Sequence, residues 1–252
     1  MRIAVAGGTG VVGRHLVTAL AAEGHEPVVL ARSAGIDLTS GAGLDRELAG
    51  ADGVVDVSNV KATRRAPAEA FFAAATGHLL DSARRAGVRH HVVLSIVGVD
   101  RVDSGYYLGK RLQERLVEEG GVPATVLRAT QFHEFVGQML ERVPGPIALV
   151  PRMRTQPVAA REVAQALAGL VAGPPLGMAP ELAGPEAYDL VDLSRRYLRA
   201  TGGKRPVLPV RLPGRAGRQM AEGALLPTGP GPRGTETFAE WLAGLPAAAS
   251  PR

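Results

Sequence analysis

Hydrophobic and polar positions follow two rhythms between Arg2 and Arg128: short β-branched runs, and longer stretches whose apolar residues return every three or four positions. RIAVA (2–6) predicts a first strand, VVGRHLVTALAAEG (11–24) a helix closed by Gly24, and EPVVLA (26–31) a second strand. GVVDV around Val55, a long helix near Ala68 to Ala86, HHVVLS around Val93, a helix through Tyr106 and ATVLRA around Leu127 continue the alternation. That order predicts an α/β fold with a parallel sheet covered by helices.

One link is abnormal. Only four residues separate Ala31 from Ile36 and Asp37, the next residues able to form a strand, whereas a parallel crossover needs a dozen or more. The third strand is therefore expected to be vestigial and its crossover helix missing. After Thr130 the pattern changes to short segments punctuated by proline: VPGPIALVP, REVAQALAGLVAGPP and DLSRRYLRATGGKRPVLPV. These predict a small substrate-binding lobe over residues 131–252, continuous with a nucleotide-binding domain over residues 1–130. Residues 227–234, PTGPGPRG, read as a loop before a last amphipathic helix around Phe238 to Leu242, and the tail PAAASPR is expected to fray.

Composition narrows the function classes. The chain of 252 residues has no cysteine, which excludes disulfides, thiolate metal sites and cysteine nucleophiles and fits the cytoplasm. No run approaches the roughly 18 apolar residues of a membrane span, so no membrane partner is expected. A net charge of +5 rests on scattered arginines, and aromatic residues make up only 4% of the chain. A nucleic-acid binder would gather that charge into a stripe interleaved with aromatics, so no nucleic-acid partner is expected. No spacing of His, Asp and Glu suggests a metal. The absence of a long apolar patch or heptad leaves a monomer as the default.

GGTGVVG places Gly7, Gly10 and Gly13 directly after the first strand and at the opening of a helix. Glycines there permit a tight turn and close approach of backbone to a pyrophosphate, whose charge the helix N-terminus favours. Gly7, Thr9, Gly10, Val11, Val12 and Gly13 are thus candidate dinucleotide contacts, and the sheet is expected to be a doubly wound Rossmann type. At the end of the second strand, where an acid would hold the ribose hydroxyls of NAD, the chain has Arg32 and Ser33. Arginine pairs with a 2′-phosphate and serine donates to it, so NADP(H) is expected in preference to NAD(H). Asp37 is a candidate near the adenine. Ligands of open α/β sheets sit beyond the carboxyl ends of strands, which adds Val57, Ser58 and Asn59, Ser95 and Ile96, and Ala129 and Thr130.

The segment SGYYLGKRLQE sets Tyr106 four residues before Lys110, about 40° apart on a helix. With four tyrosines and three lysines in the chain, about 0.05 chance matches to this spacing are expected. Hydride addition to a carbonyl needs a proton donor, and an ammonium near a phenol brings its pKa toward neutrality. The lysine also has donors to spare for a nicotinamide ribose. Leu108, Leu112 and Leu116 are expected to form the buried stripe, with the pair flanking it. Tyr107 is a rival donor. The alternative is a tyrosine and a lysine that merely decorate a surface helix.

Together, GGTGVVGRHLV, HHVVLSIVGVD, GYYLGKRLQE and VLRATQFHEF resemble, in order, an atypical short-chain dehydrogenase/reductase of the NmrA-like, NAD(P)H-binding group. The resemblance implies Ser-Tyr-Lys roles for Ser95, Tyr106 and Lys110: binding the carbonyl, donating the proton and tuning the donor. Only ten residues separate Ser95 from Tyr106, a shorter interval than in typical active relatives. Gln131, Phe132 and His133 follow the last core strand and are candidate walls for a small-molecule substrate. His133 is more readily a structural histidine than a second acid. The function implied is NADPH-dependent hydride transfer to a small apolar carbonyl, quinone or conjugated substrate. The alternative is a non-catalytic NADP(H)-sensing regulator, and an epimerase or dehydratase is less attractive for so small a lobe.

Overall fold

The computed structural model describes residues 1–245, so the tail PAAASPR lies outside the described residues. In the nucleotide-binding half the elements run β1 (Arg2–Ala6), α1 (Val11–Ala22), β2 (Glu26–Leu30), α2 (Leu44–Leu48), β3 (Gly53–Asp56), α3 (Arg65–Arg85), β4 (His90–Ile96), α4 (Gly105–Glu119) and β5 (Ala124–Ala129). Then follow α5 (Phe135–Glu141), β6 (Ala148–Pro151), β7 (Arg154–Thr155), α6 (Ala160–Ala172), β8 (Gly177–Met178), β9 (Tyr188–Asp189), α7 (Leu190–Ala200), β10 (Val207–Val210), α8 (Gly214–Ala221) and α9 (Phe238–Ala243).

Six strands form one parallel sheet in the order β2-β1-β3-β4-β5-β8. Its strands are apolar on both faces because both are covered. Ile3, Val5, Val55, Val92, Leu94 and Leu127 face Leu16 and Leu20 of α1 and Val163, Leu167 and Val171 of α6. Ala4, Val54, Val93 and Val126 face Leu44 and Leu48 of α2, Leu79 and Leu80 of α3 and Val117 of α4. The doubly wound α/β reading therefore holds.

Beyond β2 the chain does not build a further strand. A single 3-10 turn occupies Arg32–Ala34, and Asp37 makes only an isolated bridge to Ala42 within the same loop. The connection is too short for a crossover, as its length predicted, and β2 is left at the sheet edge.

The division at residue 130 does not follow the layers. Helix α6 packs along α1 and against β4, and β8 extends the main sheet beside β5, so residues 160–178 complete the nucleotide-binding layers. The rest of the C-terminal part has its own core, in which Val136, Leu140, Val150, Leu190, Leu193 and Phe238 meet around the parallel pair β6 and β10. Residues 227–234 form a loop as expected, tied to the sheet side through the bridge between Ala183 and Arg233.

Candidate active site

The turn between β1 and α1 is a cradle that side chains would fill. Gly7 has φ +79°, a left-handed conformation that favours glycine. A β-carbon at Gly13 would stand 2.2 Å from the Gly7 carbonyl oxygen and 2.7 Å from the Gly8 α-carbon. The turn is closed by the Gly10 amide donating to the Gly7 carbonyl at 2.9 Å. Helix α1 starts with no side-chain cap and no acid in its first turn, which leaves its amides free for an anion. Thr9 and Gly10 are exposed at this opening, whereas the Val12 side chain is buried in the core.

Val57, Ser58 and Asn59 follow β3 directly beside the turn: the α-carbon of Ser58 and the carbonyl of Val57 limit the space at Gly7. Ser58 Oγ and Ser95 Oγ are buried and hydrogen-bonded to nothing among the described residues. Such orphaned hydroxyls near the strand ends are suited to a ligand. Ile96 and Ala129 end β4 and β5, and Thr130 is committed elsewhere, its hydroxyl donating to the Gln156 carbonyl at 2.6 Å. The residues present therefore fit a dinucleotide along the strand ends. Arg32 and Ser33 are exposed on the loop after β2. The Asp37 carboxylate accepts from the Thr39 amide at 2.8 Å and the Thr39 hydroxyl at 2.7 Å, and these bonds hold its pKa below the ordinary value.

Helix α4 carries the Tyr-Lys pair, but its buried face differs from the expected one. Gly109, Lys110, Gln113 and Val117 are buried, and Leu108, Leu112 and Leu116 are only half-buried. Gly109 gives the reason: a β-carbon there would lie 3.0 Å from the Ala68 backbone, so the helix approaches α3 closely along this line. Lys110 is consequently inside, 4% exposed, and not at a cleft edge. Its Nζ donates to the Leu94 carbonyl at 2.6 Å and to Gln113 Oε1, and it stands 5.0 Å from the centre of the Phe72 ring. The amide of Gln113 donates in turn to Asp56 Oδ2 at 2.8 Å.

Tyr106 donates to Asn59 Oδ1 at 2.8 Å and packs edge-on to Phe72 with ring centres 6.1 Å apart. Phe72 thus touches both members of the pair, and no hydrogen bond joins Tyr106, Lys110 and Ser95 among the described residues. Burial pushes the Tyr106 phenol well above its ordinary pKa, with the neighbouring Tyr107 adding to the rise. Burial alone pushes Tyr107 up to about 12. Lys110 is pulled down to about 8 by burial, against the upward influence of Asp56 and Glu114. Both phenols therefore carry their protons across the neutral range.

Gln131 and His133 are engaged in the small lobe. Gln131 Oε1 accepts from the Thr155 hydroxyl at 2.6 Å, and Phe132 packs against the sheet-side core beside Val158. His133 is fully buried, its Nε2 donating to the Glu236 carbonyl at 3.1 Å and its ring 5.6 Å from those of Phe238 and Trp241. Burial lowers its pKa, as for a neutral structural imidazole. Asp56 and Gln113 escaped the reading of the sequence. The available signal was an acid ending a strand and a glutamine one turn beyond Lys110 on the same helix face.

Comparison with known proteins settles the family. Residues 3–99 match the NAD dependent epimerase/dehydratase family. A (4-alkanoyl-5-oxo-2,5-dihydrofuran-3-yl)methyl phosphate reductase of Streptomyces griseus is 32% identical over 222 residues, covering 79% of this chain and 74% of the relative. The chain belongs to the NAD-dependent epimerase/dehydratase family. As a member it is an NAD(P)-binding oxidoreductase, and the resemblance read from its motifs holds at that level, while the matches do not single out the NmrA-like group. Solved structures share the fold at low identity. An NADPH-dependent quinone oxidoreductase from Escherichia coli, complexed with NADPH, has a TM-score of 0.70 at 20% identity over 96% of this chain and 98% of that one. A short-chain dehydrogenase/reductase superfamily protein from Agrobacterium tumefaciens with bound NAD has a TM-score of 0.69 at 20% identity over 96% and 95%. No helix among the described residues is long and apolar enough to cross a membrane, and no group of metal-ligating side chains occurs among them.

Proposed function

We propose that the protein is an NADPH-dependent reductase of a small, rather apolar carbonyl, quinone or conjugated substrate, with Tyr106 as the proton donor. The observation that carries this reading is the loop after β3, whose Val57 and Ser58 flank the glycine turn while its Asn59 holds the Tyr106 hydroxyl at 2.8 Å. A phenol is thereby anchored at the strand ends beside a dinucleotide cradle. Arg32 and Ser33 support NADPH over NADH, since both are exposed on the loop after β2, where a 2′-phosphate would lie. The Streptomyces griseus relative is named for a 5-oxo-2,5-dihydrofuran, an unsaturated lactone, which supports a conjugated acceptor.

In this reading, bound NADPH supplies a hydride. Residues of the glycine turn and the first turn of α1 hold the pyrophosphate with backbone amides. Asn59 accepts the single Tyr106 hydroxyl hydrogen and so fixes the phenol at the strand ends; the hydroxyl would turn from Asn59 to the substrate, breaking that bond, to pass its proton to the oxygen or carbon that gains electron density. Lys110 supplies positive charge behind Tyr106 across the Phe72 ring, and Ser95 offers its unsatisfied hydroxyl to a substrate oxygen. Solvent then returns a proton to Tyr106. Tyr107, Phe132 and the small lobe would border the substrate, while His133 would support the wall through packing.

The test is NADPH oxidation by the purified protein with a panel of quinones and unsaturated lactones, repeated with Tyr106→Phe. Loss of a positioned general acid is expected to lower kcat about 100-fold or more with NADPH affinity unchanged. Full activity of Tyr106→Phe, with Tyr107→Phe also active, would remove the mechanism.

One observation favours a second reading, a non-catalytic NADP(H) sensor of the NmrA-like type. The Tyr106 phenol is raised by burial, and Lys110 donates to Leu94 and Gln113 with no bond to the tyrosine. Tight NADPH binding without turnover, together with unequal affinity for NADPH and NADP⁺, would select the sensor. Both readings take the protein as a cytoplasmic monomer.

A further inference from the structure

Inside the α/β layers Lys110 ends a chain of buried polar groups whose other members, Asp56 and Gln113, have no part in the reaction described above. Asp56 and Gln113 are each 1% exposed and Lys110 is 4% exposed. Asp56 Oδ1 accepts from the Ser58 amide at 2.8 Å, and its Oδ2 accepts from Gln113 Nε2 at 2.8 Å. Gln113 Oε1 accepts from Lys110 Nζ, which also donates to the Leu94 carbonyl at 2.6 Å. The orientation of the glutamine amide follows from its partners: a carboxylate takes the NH₂ end and an ammonium the oxygen end.

Two opposite charges are thus buried one amide apart. A buried charge without compensation costs several kcal/mol, so such groups shed their charge or find a partner. Other groups on the packed elements do not serve Lys110 equally. Glu114, its neighbour on α4, is engaged by Arg128 through two bonds of 2.9 and 2.7 Å. Phe72 of α3 offers only its ring face, β4 offers the Leu94 carbonyl, and His91 of the same strand lies inside with its pKa lowered by burial. Tyr106 bonds to Asn59. Asp56, in turn, makes no direct ion pair among the described residues and binds only amides.

We propose that Asp56 and Gln113 are positioning residues: Asp56, acting through the Gln113 amide, holds Lys110 charged and fixed behind Tyr106. The use of Lys110 rests on the reductase reading, but the relay itself does not. Its structural consequence is that one short segment, Asp56 to Asn59, governs the whole pair. Asn59 holds Tyr106 directly and Asp56 holds Lys110 through one side chain. The same segment borders the glycine turn, so a dinucleotide seated there would press on the residues that hold both groups.

The chain has only three lysines, Lys61, Lys110 and Lys204, which makes a direct measurement possible. Protein labelled with ε-¹³C-lysine would be titrated by NMR, with the Lys110 signal assigned by its loss in Lys110→Arg. Lys61 and Lys204 are exposed and serve as internal references. Asp56→Asn is expected to move the Lys110 midpoint downward by about one pH unit or more, a tenfold rise in acidity, because the negative charge is lost. Gln113→Glu, which keeps shape and adds a carboxylate, is expected to move it upward by a similar amount. If Asp56→Asn fails to fold, Asp56→Ser is titrated in its place, and the same downward movement of the Lys110 midpoint, or its absence, decides for or against the relay. Midpoints that stay within about 0.3 pH unit of wild type would overturn the relay, since a change of 0.3 is under 0.5 kcal/mol of interaction. NADPH oxidation with 1,4-naphthoquinone is measured on the same samples. An alkaline limb that follows the NMR midpoint is expected. Midpoint changes of the expected sign in a protein that turns over none of the quinones and unsaturated lactones would sink the reductase reading and leave the relay standing.

Discussion

The hydroxyl of Tyr106 donates to Asn59 Oδ1 at 2.8 Å, joining the first turn of α4 to the loop beyond β3. Because Asn59 Oδ1 also accepts from the Val60 amide at 2.7 Å, the acceptor is itself held in place. The bond lies where water reaches it although the Tyr106 ring is half-buried, so its contribution to stability is about 0.5–1 kcal/mol, while its effect on the phenol's orientation bears on turnover. A cycle of Asn59→Ala, Tyr106→Phe and the double variant is expected to give a coupling in that range by urea unfolding. Additive single effects would mean that the two side chains do not pair in solution.

Gly13→Ala and Gly10→Ala separate tightness from mere composition at the cofactor turn. The new methyl at Gly13 meets the Gly7 carbonyl at 2.2 Å, and at Gly10 meets the same oxygen at 3.2 Å. Backbone cannot yield as a side-chain tip does, so Gly13→Ala is expected to cost roughly 1–3 kcal/mol or more and to abolish NADPH binding. Gly10→Ala is expected to be milder on both counts. Equal fluorescence titrations with NADPH for the two variants would contradict this order.

Arg32→Asp tests the choice of cofactor. A carboxylate on the loop after β2 repels a 2′-phosphate dianion and accepts from ribose hydroxyls. The ratio of NADPH to NADH affinity is expected to fall about tenfold or more, with the melting temperature little changed because Arg32 is exposed. A ratio that does not move would place recognition of the phosphate elsewhere.

Acid should unfold the protein earlier than its surface charges suggest. His91 is fully buried with neither ring nitrogen hydrogen-bonded among the described residues, and burial holds its pKa below the ordinary value. The unfolded chain therefore binds a proton that the folded one refuses, so stability falls as pH drops below about 6.5. His90 and His133 are lowered by burial as well and add in the same direction. In urea titrations from pH 7 to 4, His91→Leu is expected to flatten this decline by up to about 1.4 kcal/mol per pH unit, the value of one proton. An identical slope in wild type and variant would mean that another group takes up the proton.

The strands and helices of the nucleotide-binding half were legible because each carries a strong local rhythm, as in RIAVA and VVGRHLVTALAAEG. The missing third strand was legible from arithmetic alone, since four residues cannot make a crossover. The buried face of α4 was not. Hydrophobicity nominated Leu108, Leu112 and Leu116, but close approach to α3 placed Gly109, Lys110 and Gln113 inside, a decision made by tertiary packing. Helix α6 was assigned to the small lobe for a related reason. Its amphipathic pattern identifies a buried face, yet only the packing against α1 tells which core receives it.

Ending the sheet at β2 leaves a strand with one side unpaired, and such an edge invites addition of a strand from another molecule. The sequence of β2 discourages this. Pro27 has no amide hydrogen to offer a newcomer, and Glu26 and Arg2 place opposite charges 3.5 Å apart at its start. At the far edge β8 is only two residues long and presents Met178, 53% exposed, to solvent. Shortness there does what proline does at β2. A fold that gave up a strand has thus closed both its borders against self-templated growth, and substitution of Pro27 by a β-branched residue would reopen the longer of the two.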